Sequence, residues 1–149
     1  MLNPELDETR IMGIDYGEKR IGISLSDPTK TFAYSFSAFS NDKNFINRLM
    51  QLVQERNVVK IILGLPSSDF KASQLLAEKV KKLKIKLERK LKIEVIFWDE
   101  EYSSVIAKGK ILESVSKRSK RKDKGIIDSF SAAVILQEYL DSREYQESS

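Results

Sequence analysis

Two seven-residue runs near the start of the chain, RIMGIDY over 10–16 and RIGISLS over 20–26, are rich in apolar and β-branched residues. A short turn around Gly17 and Glu18 separates them, which predicts a hairpin. Residues 31–39, TFAYSFSAF, alternate aromatic or apolar positions with small polar ones, the pattern of a third, half-exposed strand. Apolar residues then recur at steps of three and four, at Phe45, Ile46, Leu49, Leu52 and Val53, which predicts a helix that Asn41 or Asp42 would cap. Val58 to Leu63 is almost continuously apolar and ends at Gly64 and Pro66, as expected of a strand buried on both faces.

The segment from Lys71 to Leu91 carries a helical stripe of Leu76, Val80, Leu83 and Leu87, flanked by Lys79, Lys82, Lys86 and Lys90. Ile93 to Trp98 predicts a further strand, followed by an acidic turn and a helix that Ser103 or Ser104 could cap. Ser114 to Lys124 is polar and basic and reads as a loop. The last helix is expected from about Ile126 to Leu140, apolar around most of its circumference and therefore buried, with a frayed tail beyond Asp141. Three hairpin-type strands followed by alternating helices and strands imply an α/β fold, a mixed sheet with helices packed on it. At 149 residues one domain is expected, with its core at about 10–141.

Composition narrows the chemistry. The chain has no Cys and no His, which excludes disulfides, the usual zinc ligands and Ser/His/Asp or Cys/His nucleophilic mechanisms. Carboxylates remain, and their hard oxygen donors suit Mg²⁺ or Mn²⁺. The net charge is only +4, but residues 71–124 hold 17 Lys and Arg against 8 Asp and Glu, and the rest of the chain 9 against 14. A basic second half favours a polyanionic partner such as nucleic acid. The polar, acidic start gives no sign of a signal peptide and no run approaches membrane-spanning length, so a cytoplasmic protein without membrane contact is expected.

Three acidic positions stand out. Asp15 ends an apolar strand and is followed by a glycine turn with Lys19 and Arg20, so it could hold a cation beside a phosphate. Asp99, Glu100 and Glu101 follow the strand ending at Trp98, where their mutual repulsion calls for solvent or a cation. Asp128 lies in the first turns of the last helix on the face of Ala132 and Ile135, where an unpaired carboxylate would be costly. Each alone is compatible with an ordinary turn or helix start. Gly64, at the end of another strand, would let a ligand approach the backbone closely.

The segments MGIDYGEKRIGIS, IILGLP, VIFWDEEYSS and KGIIDSFSAAVILQEYL, in that order, resemble the YqgF (RuvX) family of pre-16S rRNA nucleases and Holliday-junction resolvase-like proteins. That family belongs to the ribonuclease H-like superfamily. The resemblance implies a five-stranded mixed sheet, three antiparallel strands then two parallel, with helices on both faces. It also implies metal-dependent endonuclease activity, in 5′-end processing of pre-16S rRNA or on a four-way DNA junction. Asp15, Glu100 and Asp128 would be the catalytic and metal-binding acids, with Asp99 a further candidate ligand. Gly17, Lys19 and Gly22 match the family's Asp-x-Gly loop, and Gly64, Leu65 and Pro66 its Gly-Leu-Pro turn. Glu101 stands where the family usually has Arg.

Nucleic-acid contacts are expected from Gly17, Lys19, Arg20, Gly64, Lys82 and Lys86. The basic run Lys117, Arg118, Lys120, Arg121, Lys122 and Lys124 should add to them. The expected partners are nucleic acid, pre-16S rRNA before branched DNA, and pre-ribosomal particles. The competing classes are a non-catalytic RNA-binding assembly factor and, less suited to this length, an ATP-handling protein.

Overall fold

A computed structural model describes residues 8–66, 71–99 and 124–148. Its strands are β1 (Arg10–Tyr16), β2 (Arg20–Ser26), β3 (Ala33–Ser40), β4 (Val58–Leu65) and β5 (Glu94–Asp99). Its described helices are α1 (Phe45–Glu55), α2 (Lys71–Leu91) and α3 (Lys124–Ser148). The strands form one sheet in the order β3-β2-β1-β4-β5. Pairs β1–β2 and β2–β3 are antiparallel, whereas β1–β4 and β4–β5 are parallel, the mixed sheet that the sequence predicts.

Alternation along each strand sends its side chains to two separate cores. Met12, Ile14, Ile21, Ile23, Leu25, Ile61, Leu63 and Val95 pack under α1 and α2. There they meet the predicted stripe of α1, all five residues of which are buried, and Val80, Leu83 and Leu87 of α2. Ile11 and Ile62 face the other way, against Ile135, Leu136 and Leu140 of α3. Each such aliphatic side chain stabilises the fold by roughly 1.5–3 kcal/mol when fully buried.

Polar contacts fix the placement of α3. The Ser24 hydroxyl donates to the Ala132 carbonyl at 2.8 Å in a buried contact. Gln137 accepts from the Ala33 amide at 2.8 Å and donates to the Thr31 carbonyl at 3.0 Å, tying the start of β3. The Trp98 indole donates to Glu138 at 3.1 Å and its ring meets Tyr139 edge-on.

Several boundaries differ from expectation for identifiable reasons. The helix α1 starts at Phe45, later than a cap at Asn41 or Asp42 implies, because residues 43–44 form a turn ahead of it. Asn41 donates to the Gly17 carbonyl, and Asp42 accepts from the Asn44 amide and from Arg48. The helix α3 continues to Ser148 rather than fraying after Asp141. The expected helix after Ser103 and the expected loop from Ser114 lie outside the described residues, apart from Lys124, which opens α3.

The β2–β3 connection is organised by Asp27, whose carboxylate accepts from the amides of Thr31 and Phe32, both at 2.9 Å, and from the Thr29 hydroxyl. Burial, the largest single influence, pushes the Asp27 pKa up, but these hydrogen bonds together hold it below 3.8. A carboxyl depressed by folding contributes stability above its unfolded pKa and loses it as pH falls through the folded value. An NMR titration should therefore place the Asp27 midpoint below 3.8, and Asp27→Ala should remove that acid-limb component of stability.

Candidate functional site

The carboxyl ends of the three parallel strands β1, β4 and β5 come together at one edge of the sheet. Ile14 pairs with Leu63 and Leu65 with Asp99, so Asp15, Gly64 and the end of β5 stand side by side. On the other flank Asp15 pairs with Gly22 of β2. Because Ile14 and Tyr16 belong to the α1/α2 core, Asp15 alternates to the α3 face, as do Gly13, Gly22 and Gly64. The half-buried Asp15 is therefore flanked by a glycine, Gly22 or Gly64, at the adjacent position of each neighbouring strand.

Direction matters for the third acid. Gln137 reaches Ala33, which pairs with Ser26, whose hydroxyl accepts from the Ile11 amide; Ala132 instead lies over Gly13. The helix α3 thus runs antiparallel to β1, and the turn before Ala132 heads toward Asp15. Position 128 is four residues, about 6 Å, before Ala132 along the helix, and Asp15 is two residues, about 7 Å, beyond Gly13 along the strand. The start of α3 is therefore directed toward the Asp15 end of β1. The side chain of Asp128 and all of Glu100 lie outside the described residues.

Gly13 makes this close approach possible. A Cβ there would stand 2.4 Å from Ser24 Oγ and 2.8 Å from both the Ala132 carbonyl oxygen and Leu136 Cβ. Neither Gly13 nor Ser24 was singled out in the sequence, although a glycine inside an apolar strand often signals another backbone nearby. Gly17 has a separate constraint, because a Cβ on it would meet the Arg20 carbonyl oxygen at 2.4 Å and open the turn after Asp15.

The same alternation separates Asp99 from Asp15. Val95 and Phe97 pack into the α1/α2 core while Ile96 and Trp98 face α3, so Asp99 falls on the α1/α2 side. The sequence left Asp99 and Glu100 open as alternatives; strand alternation puts Asp99 on the face opposite Asp15, and Glu100 lies outside the described residues. Asp99 is the last residue of β5, so the strand runs one residue further than the expected end at Trp98.

Among the basic candidates, exposed Lys19 and half-buried Arg20 lie at the Asp15 edge, with Arg20 on the α3 face in register with Ser40. Lys82 and Lys86 are exposed on α2, across the sheet from Asp15. Lys117, Arg118, Lys120, Arg121 and Lys122 lie outside the described residues, as does the side chain of Lys124. Among the described residues no three carboxylates gather as a metal site. The donors that the edge offers are carboxylate oxygens, which match Mg²⁺ and Mn²⁺ in hardness. No described helix is long and apolar enough to cross a membrane.

Comparison with known proteins agrees with this fold. A protein of Desulforamulus reducens named "Putative pre-16S rRNA nuclease" is 38% identical over 135 residues, 89% of this chain and 97% of the relative. A protein of Syntrophomonas wolfei with the same name is 42% identical over 134 residues, 89% of this chain and 94% of its own. The fold is similar to RuvC of Thermus thermophilus in complex with Holliday junction substrate, with a TM-score of 0.57 at 13% identity over 91% of this chain and 96% of that one. A second structure of that RuvC gives 0.53 at 10% identity with the same coverage. These resemblances place the sheet and helices in the RuvC-like ribonuclease H fold. Residues 9–142 match the family described as RuvX, Holliday junction resolvase, and the chain belongs to that family.

Proposed function

We propose that this protein is a cytoplasmic, metal-dependent endonuclease that hydrolyses phosphodiester bonds in pre-16S rRNA during maturation of its 5′ end. The observation that carries the reading is the edge formed by Asp15. It stands at the carboxyl end of β1 between Gly22 and Gly64, the end toward which the start of α3 is directed. The family and the names of its relatives favour a nuclease, and the rRNA arm follows the relatives rather than the family description.

Asp15, Glu100 and Asp128 would hold one or two Mg²⁺ or Mn²⁺ ions. Such a cation lowers the pKa of water and offsets charge on the departing oxygen. The chain's own residues orient the substrate around that centre. Gly22 and Gly64 leave room for a phosphate to approach Asp15, and Gly17 keeps the following turn tight enough to present Lys19 and Arg20 beside it. Those cations attract the backbone without reading sequence. The expected products carry 5′-phosphate and 3′-hydroxyl ends. Pre-ribosomal particles are the natural setting for such a substrate.

The opposite placement of Asp99 makes a specific expectation. Asp99→Asn should leave cleavage within a few-fold of wild type, while Glu100→Gln should lower it by about a hundredfold or more, as expected when a ligand to a catalytic cation is lost. Single-turnover cleavage of a precursor 16S rRNA fragment measures both. Equal losses would return Asp99 to the site.

A further inference from the structure

A pocket of about 270 Å³ opens at the same end of the sheet as Asp15 but on the α1/α2 side. Tyr16, Phe45 and Leu83 form its apolar wall, and Lys79, Lys82 and Lys86 stand along its rim. Steps of three and four residues put the lysines on one helix face, over about 10 Å of its axis.

The pocket is mechanically joined to the Asp15 turn. The Asn41 side chain, also at the pocket, donates to the Gly17 carbonyl at 2.8 Å, and its amide donates to the Lys19 carbonyl at 2.9 Å. The nearby acids are engaged: Glu18 lies 3.7 Å from Lys79, and Asp42 pairs with Arg48 at 2.9 Å. Among the described residues, exposed Lys82 and Lys86 have no ion-pair partner.

We propose that this pocket is a subsite for one unpaired nucleotide of the substrate strand, with its base or sugar against Tyr16 and its neighbouring phosphates on Lys82 and Lys86. The inference rests on the nucleic-acid reading above and adds a strand preference to it. The volume lies just under the roughly 300–1,000 Å³ of small-molecule sites, enough for one nucleoside-sized group. Bases stacked in an A-form duplex cannot enter such a pocket, whereas an unpaired one can be splayed out. Tyr16 directly follows Asp15 and points to the opposite face of β1, so a single strand crossing the sheet edge can touch both.

The test is fluorescence anisotropy of a short labelled single-stranded RNA, titrated with the full Asp15→Asn chain across a salt series. Adding Lys82→Gln and Lys86→Gln should flatten the slope of log K against log salt by about 1.4, or about 0.7 for each lost phosphate contact. A charge-matched control, Lys81→Gln with Arg89→Gln on other parts of α2, should change it little. A 4-thiouridine in the strand should crosslink to the peptide containing Tyr16.

Equal flattening by both double variants, or equally tight binding of the same RNA in a full duplex, would overturn the subsite. The nuclease reading is judged separately by wild-type cleavage. If no RNA is cut but the Lys82/Lys86 slope changes alone, the subsite stands and the nuclease fails. If RNA is cut and that slope stays at the Asp15→Asn value, the subsite fails and the nuclease stands.

Discussion

Asp15→Asn is expected to reduce metal-dependent cleavage by about a thousandfold or more, on the order of 4 kcal/mol of transition-state stabilisation, while leaving the fold in place. Asn has nearly the same shape and keeps one oxygen acceptor, but it removes the negative charge that would hold a divalent cation. Backbone pairing of β1 with both β2 and β4, and burial of Ile11, Met12 and Ile14, support the local structure. Thermal unfolding should therefore be close to that of wild type, and RNA binding in the presence of chelator should survive. A loss of activity accompanied by a large drop in Tm would assign Asp15 a structural role instead.

Gly13→Ala should disturb the packing of α3 against the sheet. The new Cβ would lie inside contact distance of Ser24 Oγ, the Ala132 carbonyl oxygen and Leu136 Cβ, at 2.4–2.8 Å. Two of those atoms belong to α3, one of them backbone, so the helix must move away from β1. Overpacking of this kind costs about 1–3 kcal/mol, which corresponds to several degrees in Tm for a chain of this size. Cleavage should fall further than the folded fraction explains, because the same displacement moves the start of α3 relative to the Asp15 end of β1. Circular dichroism melts paired with single-turnover rates on fully folded protein separate the two effects. Full activity in folded Gly13→Ala protein would show that the spacing of α3 from β1 does not set the site.

The elements whose boundaries were legible are those whose signal is local. For β1, β2 and α2, the apolar runs and the helical stripe mark the observed ends. The start of α1 was less legible, because Asn41 is drawn to the Gly17 carbonyl and a turn at residues 43–44 separates Asp42 from the helix. The end of α3 escaped because propensity for a polar helix tail is weak evidence in either direction.

At the site, Asp15 and its glycine turn could be read directly, since an acid ending an apolar strand is a local pattern. Its face could not be. Whether Asp99 or the next residue shares the face of Asp15 depends on alternation carried through β4 into β5. Gly13 escaped notice because its meaning lies in Ala132 and Leu136, far along the chain. The pocket beside Tyr16 likewise joins β1, the start of α1 and α2, and no single segment announces it.

The central claim is that this chain cuts RNA with a divalent cation held at the Asp15 edge. The most direct measurement incubates wild-type protein with a precursor 16S rRNA fragment and, in parallel, a four-way DNA junction, each with Mg²⁺, Mn²⁺ or chelator. The account predicts cleavage of the precursor near its mature 5′ end with either metal, none with chelator, and weaker or no cutting of the junction. Binding of the precursor without cleavage under any metal would contradict it.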